Sequence, residues 1–449
     1  MNGRVMKFGG SSVANAACMR QVAELVRAAA QRPLLVVLSA MGKTTNGLFI
    51  AAQAAENGNL AAAISGLQAV QAAHFKAARE LFDPVPEALG AALTERFNEL
   101  ELILRGVALL RELSPRSMDA IASFGERLST LIFAAFLDAP LVDARKIIRT
   151  DDTFGEGQPR FALLPELAAQ HLTPLLVPGH PVVTQGYIGA TEDGLTTTLG
   201  RGGSDYSAAL FGAVLGVEEV QIWTDVQGVL TCDPRVVPEA QSINQLTFAE
   251  AAELAAFGAK VLHPATIQPA VEAGIPVTVR DTQHPLGLFT TISPDARSGR
   301  AVTALATRGP VTVLTVNSSR MLNHSGFLAK LFEVFRRHGV SVDLIATAEV
   351  SVSLTVEADA PLAALMADLS AFATAVAVQD RAIIAVVGER IKQTPGIAGR
   401  VFTALGDINI ELISMGANEI NLSLVVPQTA AVEALRRLHR VLIEEAVCV

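Results

Sequence analysis

Lys7-Phe8-Gly9-Gly10-Ser11-Ser12-Val13 is the stretch on which the reading of this chain turns. Val5 to Phe8 is a short apolar run. It ends on two glycines and two hydroxyls, and a helical stretch follows from about Ala14 to Ala30. Strand, glycine turn and helix together suit a phosphate. Glycines let the backbone approach with no Cβ in the way. The helix start offers unpaired N–H groups and a positive dipole end. Lys7 adds a full positive charge. The spacing is neither that of a P-loop nor that of the dinucleotide-binding Gly-x-Gly-x-x-Gly turn. Taken alone, the stretch could equally be a tight turn, so its surroundings decide.

Outward from it, strand-like and helix-like segments alternate. Leu34 to Leu38 is short, branched and continuous, which reads as a buried strand. Leu48 to Leu137 has helical spacing, broken near Asp83-Pro84-Val85-Pro86 and at Ser114-Pro115. Leu141-Val142, Val182 to Thr184, Val220 to Trp223 and Val277 to Val279 are further strands. The alternation predicts an α/β fold, a mostly parallel open sheet with helices on both faces. Asp281 to Pro310, rich in proline, glycine and serine, reads as a domain junction.

Beyond the junction the sequence nearly repeats itself. Val340 to Ile345 resembles Ile408 to Ile413, and Glu349 to Leu354 resembles Glu419 to Leu424. With Val311 to Val316 and Ile383 to Val387 in front, each copy reads strand–helix–strand–strand–helix, the ferredoxin-like order.

Composition narrows the function classes. The chain has 449 residues, half of them hydrophobic, with 35 Lys and Arg against 44 Asp and Glu, a net charge of −9. Mean hydropathy is +0.39. That excludes a disordered chain and argues against nucleic-acid or anionic-membrane partners. Three scattered cysteines, Cys18, Cys232 and Cys448, form no disulfide framework or zinc motif. Leu34 to Ala40 and Leu131 to Leu137 are too short as apolar runs to span a bilayer, which takes about 20 residues. The N-terminus reaches glycines before a signal core could form. The expectation is a cytoplasmic protein with reduced thiols.

Four further segments carry chemistry. Gly200-Arg201-Gly202-Gly203-Ser204-Asp205 is a second glycine-dense loop opening a helix. The planar fork of Arg201 suits a carboxylate or phosphate. Ser204 or Asp205 could merely cap the helix, but a cap needs neither three glycines nor an arginine. Trp223-Thr224-Asp225 ends a strand before a turn at Gly228, where ligands of open α/β sheets sit. In Phe257 to Pro264, Lys260 could face nucleotide or solvent, and His263 reads as a structural hydrogen-bonding residue. In Ser123-Phe124-Gly125-Glu126-Arg127, Glu126 could be an exposed helix carboxylate or a partner for a substrate ammonium.

Together, and in this order, these motifs resemble aspartokinases: an amino-acid kinase domain followed by two ACT domains, most like the monofunctional, lysine-sensitive bacterial class. The chain ends after the second ACT-like unit, unlike a homoserine dehydrogenase fusion or a free regulatory subunit. The resemblance implies a catalytic domain over 1–294 and a regulatory region over 295–449, its units near 310–380 and 381–449 with interleaving left open. It implies ATP-dependent phosphorylation of the L-aspartate β-carboxylate, opening lysine, threonine and methionine biosynthesis. Two rivals stand beside it. One is a same-fold kinase for glutamate, acetylglutamate, carbamate or a nucleotide, against which the pair Glu126 and Arg201 argues. The other is an inactive amino-acid sensor.

The resemblance also implies roles. Lys7 and Asp205 are catalytic. Ser39, Thr45, Glu126, Arg201, Gly202, Gly203 and Ser204 hold aspartate. Lys7, Gly9, Gly10, Ser11, Thr224, Asp225, Leu230, Arg235, Lys260 and Val261 hold ATP. Leu230 stands where the family often has a tyrosine near adenine. Magnesium comes through ATP, with no protein ligand named. Met321, His324, Phe327, Leu328, Ser341, Val342, Asp343, Ala348 and Glu349 enclose a lysine inhibitor. His324 and Ala348 replace serines of relatives, which implies weaker lysine binding. A homodimer through the ACT region is implied, with further association to a tetramer open.

Overall fold

The computed structural model describes residues 2–258, 262, 264–297, 299–322, 325–416 and 418–445. Lys260, Val261, His263, His324 and Cys448 lie outside the described residues. β1 (Arg4–Phe8) passes through a 3-10 turn (Ser11–Val13) into α1 (Ala16–Ala29) and β2 (Leu34–Leu38). Four helices follow: α2 (Thr44–Glu56), α3 (Leu60–Leu81), α4 (Glu87–Leu110) and α5 (Pro115–Leu137). Then come β3 (Leu141–Val142), α6 (Leu164–His171), β4 (Val182–Gln185), β5 (Ile188–Ala190), β6 (Thr196–Thr198), α7 (Gly203–Leu215) and β7 (Glu219–Thr224). β8 (Gln245–Leu246), α8 (Phe248–Ala256), α9 (Pro264–Glu272), β9 (Val277–Asp281) and β10 (Thr290–Ile292) precede the repeated region.

Two compact units result, Met1–Val229 with Val261–Ala296 and Leu230–Lys260 with Arg297–Val449. In the first, the strands run in the order β3-β4-β2-β1-β7-β9-β10. All pair in parallel except β10, which is antiparallel to β9. Every residue of β2 is buried, as its unbroken Leu-Leu-Val-Val-Leu run predicts for a central parallel strand. β5 and β6 form a separate antiparallel ribbon that the sequence did not announce.

The helical region breaks at both expected prolines. At the second, Ser114 caps α5 by accepting the Ser117 N–H at 3.2 Å, and Pro115 occupies the first turn. A third break, unexpected, separates α2 from α3, where Asn59 caps by accepting the Ala62 N–H at 3.1 Å. Uninterrupted apolar runs are short, yet α5 as a whole is long and apolar enough to cross a membrane. Its most apolar window is 72% buried, and Ile121, Phe124, Leu128, Ile132 and Phe133 join the core of the first unit.

The second unit holds β11 (Ala304–Asn317), α10 (Phe327–Arg337), β12 (Ile345–Thr347), β13 (Ser351–Glu357) and α11 (Leu362–Ser370). The same order recurs as β14 (Thr374–Val387), α12 (Ile397–Leu405), β15 (Leu412–Met415), β16 (Asn421–Pro427) and α13 (Ala431–His439). One six-stranded sheet, β12-β13-β11-β14-β16-β15, joins both repeats. β11 and β14 start earlier than their apolar cores suggest, and each serves both repeats. Val311–Asn317 pairs with β13 of the first copy, while Ala304–Arg308 pairs with Ile383–Val387 of the second.

The expected boundary at 294 differs from the compact units: the segment after Val229 belongs with the repeats. Its polar groups and apolar residues find their partners there. Thr231 Oγ1 lies 2.9 Å from His439 Nε2, and the Leu305 N–H donates to the Thr231 carbonyl at 2.8 Å. Cys232 and Val237 enter the core built around Leu305, Ile384 and Leu435, and burial pushes the Cys232 thiol up to about 12. Glu250, 1% exposed, closes a capping box on α8 and accepts the Thr303 hydroxyl at 2.6 Å. Glu250→Ala should therefore loosen α8 locally, by about 1–3 kcal/mol for a charged acceptor with buried donors. Hydrogen exchange over Phe248–Ala256 should speed at least about fivefold while β2 amides keep their rates; unchanged exchange in α8 would refute the anchoring role.

Candidate active site

A cavity of about 590 Å³ opens in the first unit, bordered by the carboxyl ends of β1 and β2 and by the turn that starts α7. Lys7, next to last in β1, is paired in register with Val37 of β2 and Ile222 of β7. Flanking strands thus fix its Cα, and its ammonium lies 2.6 Å from Asp205 Oδ1. Both side chains are mostly buried, 11% and 16% exposed. Asp205 stands in the first turn of α7. The residue preceding that helix, Gly202, has φ +72°, and no side chain caps it. Capping is therefore not what Ser204 or Asp205 does here.

Close backbone approach shapes the glycine turn. The Gly9 N–H donates to the Trp223 carbonyl at 3.2 Å, tying the turn to the end of β7. The Gly10 carbonyl accepts the Gly42 N–H at 3.0 Å, and a Cβ at Gly10 would sit 2.8 Å from the Ala40 carbonyl oxygen. Ser12 Oγ is 2.7 Å from Thr282 Oγ1, and the Thr282 N–H donates to the Thr224 carbonyl at 2.9 Å. These bonds hold the ends of β1, β7 and β9 together.

Glu126 is buried, not an exposed helix carboxylate. It projects from α5 and is 3% exposed. Its Oε1 accepts the Ala40 N–H at 3.1 Å, while Oε2 is buried without a partner among the described residues. Burial pushes its carboxyl up to about 8, against the opposing pull of the Ala40 N–H and the nearby Lys7 charge. α5 reaches the turn after β2 because residue 125 is glycine: a Cβ there would lie 2.7 Å from Ala40 Cβ. Ser129 Oγ donates to the Ser39 carbonyl at 2.8 Å and fixes the same turn.

The cavity wall brings together Lys7, Gly10, Ser39, Thr45, Glu126, Arg201, Gly202, Gly203, Ser204 and Asp205. Arg201 is exposed. Sequence reasoning missed four lining residues: Asn46, Gly155, Glu156 and Tyr187. Tyr187 has φ +66°, rare for a bulky residue. Its N–H donates to Ser207 Oγ at 2.9 Å and its carbonyl accepts the Leu199 N–H at 2.8 Å, which hold that conformation. Gly155-Glu156-Gly157 carries no chemical signature in the sequence.

Of the residues carried over for the nucleotide, Gly9, Ser11, Thr224 and Asp225 lie in the first unit at the ends of β1 and β7. Leu230 and Arg235 belong to the second unit, where Leu230 bridges to Ser242 and Arg235 pairs with Asp233. Among the described residues, no three His, Cys, Asp or Glu side chains converge as a metal cage. The effector residues fall on three segments of the second unit. Met321, Phe327 and Leu328 flank the start of α10, Ser341, Val342 and Asp343 precede β12, and Ala348 and Glu349 form the turn to β13. Asp343 Oδ1 is 2.9 Å from Arg308 Nη1, and its Oδ2 is buried without a partner among the described residues.

The chain matches the amino acid kinase family over residues 2–281 and the ACT domain over residues 314–367 and 384–442. It is 39% identical to the lysine-sensitive aspartokinase 3 of Escherichia coli, covering 98% of this chain and 99% of that protein. It is also 39% identical to the chloroplastic aspartokinase 1 of Arabidopsis thaliana, over 97% of this chain and 79% of that one. Two solved structures of E. coli aspartokinase III, one with lysine and aspartate and one with aspartate and ADP, each match with a TM-score of 0.82 at 39% identity. They cover 99% and 98% of this chain, and 100% and 99% of their own. A glycine turn, a buried lysine–aspartate pair and a duplicated ACT sheet thus meet in one chain that belongs to the aspartokinases of the amino-acid kinase family: it is an aspartate kinase.

Proposed function

We propose that the cavity holds L-aspartate between Arg201 and Glu126, and that Lys7, oriented by Asp205, neutralises the phosphoryl group passing from ATP to the β-carboxylate. The carrying observation is that the 2.6 Å Lys7–Asp205 pair, the unpartnered Glu126 Oε2 and the exposed Arg201 border one cavity. Arg201 clamps the α-carboxylate with its planar fork, and Glu126 takes the ammonium. Ser39, Thr45, Gly202, Gly203 and Ser204 complete the wall.

The chemistry asks little else of the protein. The nucleophile is the substrate's own β-carboxylate, ionised at neutral pH because its ordinary pKa is about 3.9. No general base is needed. One carboxylate oxygen bonds to the γ-phosphorus, the bond to the β-phosphate oxygen breaks, and ADP leaves with 4-phospho-L-aspartate formed. Catalysis is alignment of two anions plus fixed positive charge. Gly9, Gly10, Ser11, Thr224 and Asp225 are the nucleotide-facing residues of the first unit. Magnesium, held mainly by ATP oxygens and water as suits a small hard cation, supplies further charge neutralisation when bound. The reaction opens aspartate-family amino-acid biosynthesis, in the cytoplasm.

Lysine is the feedback effector in this reading. The similar E. coli enzyme is named lysine-sensitive, and one of its structures is described as holding lysine. Two ammoniums and one carboxylate match a site offering Asp343 and Glu349 beside the helix start at Phe327. Lysine acts by binding a low-activity state more tightly. Assembly as a homodimer runs through the edge strands β12 and β15, where Ile345, Ile413 and Met415 are exposed, with tetramers as further association.

Three outcomes test this reading. Lys7→Ala should lower kcat about 10²–10³-fold, the loss of one preorganised charge at the reacting group. A variant keeping more than a third of kcat in an ADP-release assay would remove Lys7 from the chemistry. The second concerns protons. A carboxyl whose pKa is raised to about 8 is mostly protonated at pH 7 and must ionise to hold an ammonium. Aspartate binding should therefore release close to one proton at pH 6.5–7, and KM for aspartate should fall as pH rises toward 8. Calorimetry in buffers of different ionisation enthalpy reads this directly, and Glu126→Gln should abolish the release. A pH-independent KM with no proton release would sink the assignment. Third, Asp343→Ala should abolish lysine inhibition while kcat stays within twofold. Should threonine suppress the wild-type enzyme while saturating lysine does not, the effector is reassigned and the kinase reading stands.

A further inference from the structure

Asp119 is a buried carboxylate that the reaction as described does not use. It lies on α5, two turns before Glu126, and is 2% exposed. Its surroundings are all donors. Oδ2 accepts the Gly155 N–H and the Thr198 N–H, each at 2.9 Å, and Oδ1 accepts the Thr198 hydroxyl at 2.8 Å. Burial raises its pKa while these three hydrogen bonds pull it back down.

The two backbone segments it grips are both walls of the cavity. Gly155 and Glu156 line it directly. Thr198 ends β6, and the next residues, Leu199 and Gly200, lead into Arg201. The two walls also brace each other: the Gly157 N–H donates to the Thr198 carbonyl at 2.8 Å, and Gly200 packs on Glu156. One helix thus carries the carboxyl assigned to the substrate ammonium and, about 10 Å earlier at 1.5 Å per residue, the carboxylate that anchors the loop bearing the α-carboxylate clamp.

We propose that Asp119 is a positioning residue for substrate recognition: its three accepted hydrogen bonds set the placement of Arg201 relative to Glu126 and so the affinity for aspartate. This rests on the reading that Arg201 and Glu126 hold the substrate. Asp119→Asn tests it at nearly constant volume. An amide oxygen in the place of Oδ2 still meets both backbone N–H groups but without the charge that strengthens those bonds, and an NH₂ in the place of Oδ1 forces the Thr198 hydroxyl to turn from donor to acceptor.

The experiment is a double-mutant cycle on the full-length enzyme, with KM for aspartate, KM for ATP and kcat measured for wild type, Asp119→Asn, Arg201→Ala and both together. Far-UV circular dichroism verifies that each variant is folded. Asp119→Asn should raise KM for aspartate at least tenfold and leave KM for ATP within twofold. In the Arg201→Ala background the same change should add less than threefold, because the clamp it positions is already gone. A purely structural role would lower the active fraction, reducing kcat with KM unchanged, and would overturn the inference. So would additive effects, and so would an Asp119→Asn chain that does not fold while Asp119→Glu, folded, keeps wild-type KM. If Arg201→Ala itself leaves KM for aspartate unchanged, the underlying substrate reading fails instead, and the proposal for Asp119 falls with it.

Discussion

The ion pair between Lys7 and Asp205 is the interaction on which the site depends. Taking either charge out of water alone is costly, so each holds the other where it stands. At 2.6 Å, the pair joins the end of the central strand β1 to the first turn of α7. A flexible lysine would have to be ordered when substrate arrives. Here its Cα is fixed by two parallel neighbours and its ammonium by a carboxylate, so most of that ordering is done in the fold. The glycine loops follow from the same constraint. With strand end and helix start drawn together, backbone must pass where side chains cannot, as at Gly10 against the Ala40 carbonyl.

α5 supplies the second half of the site by a different device. Its apolar face is core, with Phe124, Leu128 and Phe133 buried, so its polar residues face inward only where something receives them. Asp119 meets three donors and is satisfied; Glu126 meets one and keeps Oε2 free. That difference separates a carboxylate that shapes the pocket from one poised to receive a ligand. The cost of leaving Glu126 half-satisfied appears as its raised pKa, and an arriving ammonium would supply the missing partner.

Much of this was legible in the sequence because it was written in local patterns. The Leu34–Leu38 run, the glycine turns after β1 and before α7, and the doubled strand–helix order of the ACT region each carry a period or a composition that short-range physics explains. Asp119, Tyr187 and Gly155-Glu156 were not legible. Nothing near Asp119 in sequence marks it, since its three donors come from residues 155 and 198. Tyr187 matters through a positive φ that no propensity assigns to tyrosine. β11 and β14 were read too short for a related reason. Polar interruptions, Thr307-Arg308-Gly309-Pro310 and Gln379-Asp380-Arg381, cut off the apolar stretches Ala304 to Ala306 and Ala375 to Val378, and pairing across the repeats carries each strand through its break.

The same distinction explains why one apparent motif is two pieces of structure. From Thr224 to Arg235 the sequence reads as a single strand-end loop. In the fold, Gly228 and Val229 stay with the first unit, where the Val229 N–H donates to Thr290 Oγ1 at 2.8 Å. The next residues find their partners among the repeats: Thr231 at His439 and Leu305, Cys232 in the apolar core around Ile384. The chain therefore passes from one compact unit to the other after Val229. A domain boundary is usually sought in a polar, proline- and glycine-rich stretch, which here pointed to Asp281 to Pro310. That stretch does contain one crossing, after Ala296, but the chain had already crossed at Leu230. An insertion that takes contacts such as Thr231 with His439 and the packing of Cys232 from the repeats leaves no mark of its own in composition, because both cores ask for the same residues.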